Sequence, residues 1–96
     1  MLILRMVQDQ PLHGYAIAQR IHQLSREQLS VEEGSLYPAL QKLLLKGWVK
    51  ASWATSETGR EVREYRITAS GRKQLEDELS EYRRMAKAIE LLLSNA

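Results

Sequence analysis

The spacing of apolar residues changes along the chain, and each change marks an element. MLILRMVQ reads as a short helix, closed by Asp9-Gln10-Pro11. From Gly14 to about Leu24, the residues Tyr15, Ile17, Ala18, Ile21 and Leu24 form one stripe at helical spacing and predict a second helix. SREQLSVEE follows, too long for a tight helix-turn-helix corner, and Leu29-Ser30-Val31 within it is a candidate short strand. A third helix starts near Gly34 or Ser35, because Pro38 lacks an N–H and is tolerated only in a first turn. Leu36, Leu40, Leu43 and Leu44 follow an i, i+4, i+7, i+8 pattern and are expected to face the core. Gly47, after Lys46, stops the helix. Its opposite face carries Tyr37, Gln41 and Lys42.

From residue 48 to residue 68 the pattern becomes that of strand, turn, strand: WVKASWAT, then SETGREVR, then EYRIT. Trp48, Val49, Trp53, Val62, Tyr65, Ile67 and Thr68 are β-favouring types, and Thr58-Gly59-Arg60 is a turn signal. Thr68 then caps a last helix as T-x-x-G, with Ser70 as the alternative cap. That helix runs to about Ser94. Within it Leu75, Leu79, Tyr82, Ala86, Ile89 and Leu93 are spaced 4-3-4-3-4, an a/d seam that Met85 and Leu92 widen. A helix of about 25 residues is roughly 38 Å long, more than a core this small can cover. Much of the seam needs a second surface, and a copy of the same chain is the economical one.

Composition narrows the class. The 96 residues make one domain with a modest core; 44% are hydrophobic and 27% charged, a globular balance. Phe is absent, so the core rests on aliphatic residues and a few Trp and Tyr. Without cysteine there are no disulfides, no thiol chemistry and no Cys-based zinc sites, which fits an expected place in the cytoplasm. No apolar run reaches membrane-spanning length, and MLILRMV is too short for a signal peptide. Net charge is +2, but residues 1–73 carry 11 Lys/Arg against 7 Asp/Glu, and residues 74–96 carry 3 against 5. The front of the chain therefore presents more positive charge to an anion than the last helix does.

The order helix, helix, helix, basic hairpin, long helix resembles a winged helix. PLHGYAIAQRI, EEGSLYPALQKLLLKGWV and REYRITASGRKQL together resemble the PadR family of transcriptional regulators, over about residues 3–80. The single C-terminal helix is similar to that of the short PadR subfamily. The resemblance implies a mainly α fold with a small β-hairpin. It implies a winged-helix DNA-binding domain over 1–68 and a dimerisation helix over 69–96. It also implies a homodimer on double-stranded DNA, usually a repressor, with a small-molecule effector of open identity in some members. The chain opens inside the first helix, where members of the family usually carry several more residues.

The residue chemistry is compatible with that implication and leaves alternatives. Tyr15, in H-G-Y, either reaches a phosphate beside the helix start or anchors helix packing; His13 either touches phosphate or caps. Ser35, Tyr37, Gln41 and Lys42 lie along the open side of the third helix. Gln can read adenine, and Lys can read guanine or bind phosphate; a solvated face is the alternative. Arg60, Arg63 and Arg66 share the hairpin with Glu57, Glu61 and Glu64, so cross-strand ion pairs compete with a basic surface. Tyr65, Ile67 and Arg63 share one strand face. Arg60 and Arg63 are the wing candidates for DNA. Trp48 and Trp53 either line a planar-ligand pocket between subunits or pack at the domain edge. No nucleophile motif, metal-ligand spacing or phosphate-cradling glycine loop occurs, so no enzyme, metal or cofactor is expected. A winged helix used only for protein–protein assembly is the rival reading.

Overall fold

The computed structural model describes residues 1–95. Seven elements follow one another: α1 (Leu2–Met6), β1 (Leu12–His13), α2 (Gly14–Leu24), α3 (Glu33–Leu45), β2 (Val49–Thr55), β3 (Glu61–Ile67) and α4 (Ala69–Ser94). The strands form one antiparallel sheet in the order β1-β3-β2.

The helix boundaries have local causes. His13 is extended at the start of α2, and its Nδ1 accepts from the Ala16 N–H at 3.3 Å. This satisfies one of the free donors of a helix N-terminus. α3 begins at Glu33, slightly before the expected start, so Pro38 is its sixth residue and lies past the first turn expected for it. Gly47 ends α3 with φ +73°, a conformation that glycine adopts without a Cβ penalty. Thr68 caps α4, its hydroxyl accepting from the Gly71 N–H at 3.0 Å.

Leu4, Val7, Ile17, Ile21, Leu36, Leu40, Val49, Tyr65 and Leu75 form the core, drawn from α1, α2, α3, the hairpin and α4. Leu43 and Leu44 pack against it from the end of α3. Here the assignment of Leu75 to a dimer seam is corrected: it is 1% exposed and fully used by the chain's own core. Leu79 is half-buried against the same core. The first three turns of α4 thus pack with residues 1–68, and the rest of α4 projects away. The molecule measures 56 × 29 × 23 Å.

Two further expectations are corrected. Leu29-Ser30-Val31 forms no strand. Ser25 holds that loop instead, its hydroxyl accepting from the Leu29 N–H at 3.0 Å, while the His22 ring lies 3.1 Å from the Leu29 carbonyl oxygen. The third strand of the sheet is Leu12–His13, which pairs with Tyr65 and Glu64. The hairpin is also tighter than its turn residues suggest, since β3 already begins at Glu61.

A close junction joins α3, the hairpin and α4. The Thr68 hydroxyl donates to the Gly47 carbonyl at 2.6 Å, and the Thr68 N–H to the Trp48 carbonyl at 3.0 Å. Gly71 is pressed against the Trp48 carbonyl, where a Cβ would collide with the backbone oxygen. The Lys46 ammonium covers the Trp48 ring from 4.7 Å, a cation–π contact on the outside of the same junction.

Candidate nucleic-acid interface

A concavity of about 1020 Å³ lies between the hairpin and the starts of α2 and α3. It brings together Tyr15, Tyr37, Arg60 and Arg63, four of the seven residues expected to meet DNA. The other three, Ser35, Gln41 and Lys42, are exposed along α3 outside the cleft.

Local structure explains each placement. Tyr15 is the second residue of α2 and follows the buried Gly14; its ring is 59% exposed, so helix packing does not account for it. Tyr37 follows the buried Leu36 on α3, and its ring reaches across to the start of α2. The His13 side chain is occupied as the α2 cap, which matches the capping alternative.

The wing tip is ordered by a residue the sequence did not single out. Ser56 donates its N–H to the Arg60 carbonyl at 2.8 Å and accepts at its carbonyl from the Gly59 N–H at 2.9 Å. Its hydroxyl accepts from the Arg60 N–H at 3.2 Å and lies 3.1 Å from the Thr58 hydroxyl. Gly59 takes φ +82° to complete the turn. Arg60 therefore leaves a fixed backbone rather than a loose loop. The only sequence signal for Ser56 was a small polar residue opening a turn.

Strand register decides which charges meet. Arg63 lies opposite Trp53, Arg66 opposite Lys50, and Glu64 opposite Ser52. No arginine directly faces a glutamate across β2 and β3, and among the described residues no ion pair forms on the hairpin. Glu33, Glu57 and Glu64 still line the cleft beside the arginines, so its walls carry both signs. Trp53 is 70% exposed on the outer strand, so it is neither core nor covered edge. Trp48 is half-buried at the α3–α4 junction.

On distal α4, Tyr82, Met85, Ile89, Leu92 and Leu93 are exposed, whereas Ala86 is half-buried. The apolar surface left free therefore runs through Tyr82, Met85, Ile89, Leu92 and Leu93, with Leu91 exposed beside them. No helix of the described residues is long and apolar enough to cross a membrane.

Three helices, a three-stranded sheet and a projecting hairpin that walls an open cleft define a winged-helix domain. The chain belongs to the transcriptional regulator PadR-like family, whose model matches residues 3–77. It is accordingly a transcriptional regulator by family and not an enzyme. A PadR family transcription regulator of Clostridium difficile superposes with a TM-score of 0.84 at 26% identity, over 96% of this chain and 94% of that one. Bacillus subtilis PadR, solved in complex with operator DNA, superposes at 0.72 with 28% identity, over 81% of this chain and 44% of that one. An uncharacterised protein of Lysinibacillus sphaericus is 27% identical over 92 residues, 96% of this chain and 84% of its own length.

Proposed function

We propose that this chain is a homodimeric repressor that occupies a palindromic operator. The observation that carries the reading is the cleft, in which two exposed tyrosines at helix starts face two arginines of an ordered wing. The exposed side of α3 enters the major groove, where Gln41 and Lys42 meet base edges and Ser35 meets backbone. Arg60 and Arg63 meet phosphate or the minor groove, and Tyr15 and Tyr37 hold the backbone at the cleft mouth. Residues 1–68, with the first turns of α4, form the DNA-binding unit. Distal α4 pairs with a second copy through Tyr82, Met85, Ile89 and Leu92, flanked by Ala86 and Leu93. Half-sites then lie roughly 34–36 Å apart, one turn of the duplex. A small-molecule effector would act by changing the angle between the two winged helices. The likeness to operator-bound Bacillus subtilis PadR supports the DNA assignment.

The test is recovery of genomic fragments on the immobilised protein, followed by titration of the enriched duplex and a scrambled one. Selective binding with two protomers per site is expected. Equal retention of both duplexes at low salt, or of neither, would overturn the reading and favour a protein-assembly role.

A further inference from the structure

Three of the chain's glycines show different reasons for being glycine. Gly47 and Gly59 have positive φ, and their backbone demands it. Gly14 does not: it is the first residue of α2, its φ is not positive, and an L side chain suits its backbone. What it lacks is space. A Cβ there would lie 3.0 Å from both Cε1 and Oη of Tyr37 and 3.2 Å from Cζ. The far end of the Tyr37 ring therefore rests against the bare Cα of Gly14. Tyr37 is 47% exposed, so the ring has open space away from that contact. It belongs to α3, yet its hydroxyl end is located by α2, at the mouth of the cleft that Tyr15 shares.

We propose that Gly14 is a positioning residue for DNA reading, and that it acts by leaving room for the Tyr37 phenol over the start of α2. The proposal rests on the reading that Tyr37 meets DNA, and adds what fixes its place. The cost of a methyl at residue 14 falls on the ring rather than on the fold. An exposed ring at the end of a flexible side chain can give way by the few tenths of an ångström required, and alanine is a better helix residue than glycine. Stability is kept while the phenol is displaced from where a phosphate or base would meet it.

The experiment compares the parent, Gly14→Ala, Tyr37→Ala and the double variant as intact proteins, on the enriched genomic duplex and on scrambled DNA. Thermal melting and Tyr37 ring resonances are followed in the absence of DNA. Gly14→Ala is expected to melt no lower than the parent, to shift the Tyr37 ring resonances, and to weaken binding by about five-fold, the scale of one weakened contact. In the Tyr37→Ala background the same change is expected to have no further effect on binding. A Gly14→Ala protein that binds like the parent overturns the proposal. So does one that loses its fold, which makes Gly14 a packing residue, or one whose effect persists without Tyr37. If the parent binds selectively and Tyr37→Ala binds equally well, the proposal fails while the DNA reading stands. If the parent prefers no duplex, the DNA reading falls and takes the proposal with it.

Discussion

Arg60 and Lys42 carry the same charge on different supports, and this separates their roles. Arg60 leaves a wing tip held by Ser56, so its guanidinium moves with the hairpin, and the proposed reading sets it against backbone or minor groove. Arg60→Ala is expected to weaken operator and scrambled DNA nearly equally. Gln41 and Lys42 stand on the exposed side of α3. Replacing one that meets a base edge is expected to cost about 1–3 kcal/mol on the operator and to relax preference at one position per half-site. Titrations of Arg60→Ala, Gln41→Ala and Lys42→Ala on both DNAs check this, with circular dichroism confirming the fold. If all three folded proteins bind both DNAs as the parent does, the DNA face is misassigned. At this scale Tyr37, Arg60 and Arg63 could be read as candidates, because Tyr37 stands off the apolar face of α3 and the arginines sit at or just after a turn signal, whereas Tyr15 counted in an apolar stripe and stood out only through H-G-Y. Gly14 and Ser56 could not, since their value lies in a neighbour brought close by folding. Trp53 has the strand parity of Val49 and looked like packing. The wing outruns the core, however, and the inward face of β2 continues past the last residue able to cover it.

Among the elements, α4 divides its apolar positions between two tasks, and mutations in one seam should part accordingly. Leu75→Ala removes a buried side chain from the chain's own core and is expected to cost about 2–5 kcal/mol of stability. Ile89→Asp touches an exposed position. It is expected to leave the melting of an isolated protomer nearly unchanged while placing a charge in the proposed dimer face, where an unpaired charge costs several kcal/mol. Sedimentation at micromolar concentration should show monomer for Ile89→Asp; an unchanged dimer would falsify the seam. The heptad spacing correctly marked α4 as longer than its core. It did not mark where the core ends, because a 4-3-4 pattern looks the same whether its partner is intramolecular or a second chain. The ends of α2 and α4 followed from His13, Thr68 and the apolar stripes. The strand β1 escaped because two residues have no period, and only the pairing of Leu12 with Tyr65 makes them a strand.

For the whole molecule, a cleft with walls of mixed sign, one in each protomer of the proposed dimer, points to phosphate contacts in number rather than one strong anion pocket. The expected signature is a steep, linear fall of log affinity with log salt. Six to ten phosphate contacts across a dimer give a loss of roughly 10³ to 10⁵ between 50 and 200 mM. Isotherms on the enriched duplex at four salt concentrations measure the slope. A flat dependence would leave Arg60 and Arg63 without the role assigned to them.

The junction of Gly47, Thr68 and Gly71 turns the projecting part of α4 into a lever arm. Two hydrogen bonds and a glycine-thin contact leave little play between the end of α3 and the root of α4. Beyond Leu79 some fifteen residues project, an arm of about 22 Å at 1.5 Å per residue. Tilting that arm by about ten degrees at its root moves its tip by roughly 4 Å, and the same gearing works in reverse. In the proposed dimer, with the arms of two copies paired, a slight rotation at either root would change the distance between the two α3 helices by more than a base-edge hydrogen bond tolerates. If the proposed dimer holds, the half-site spacing it accepts depends on the stiffness of this glycine-lined junction in each copy, away from the residues proposed to touch bases.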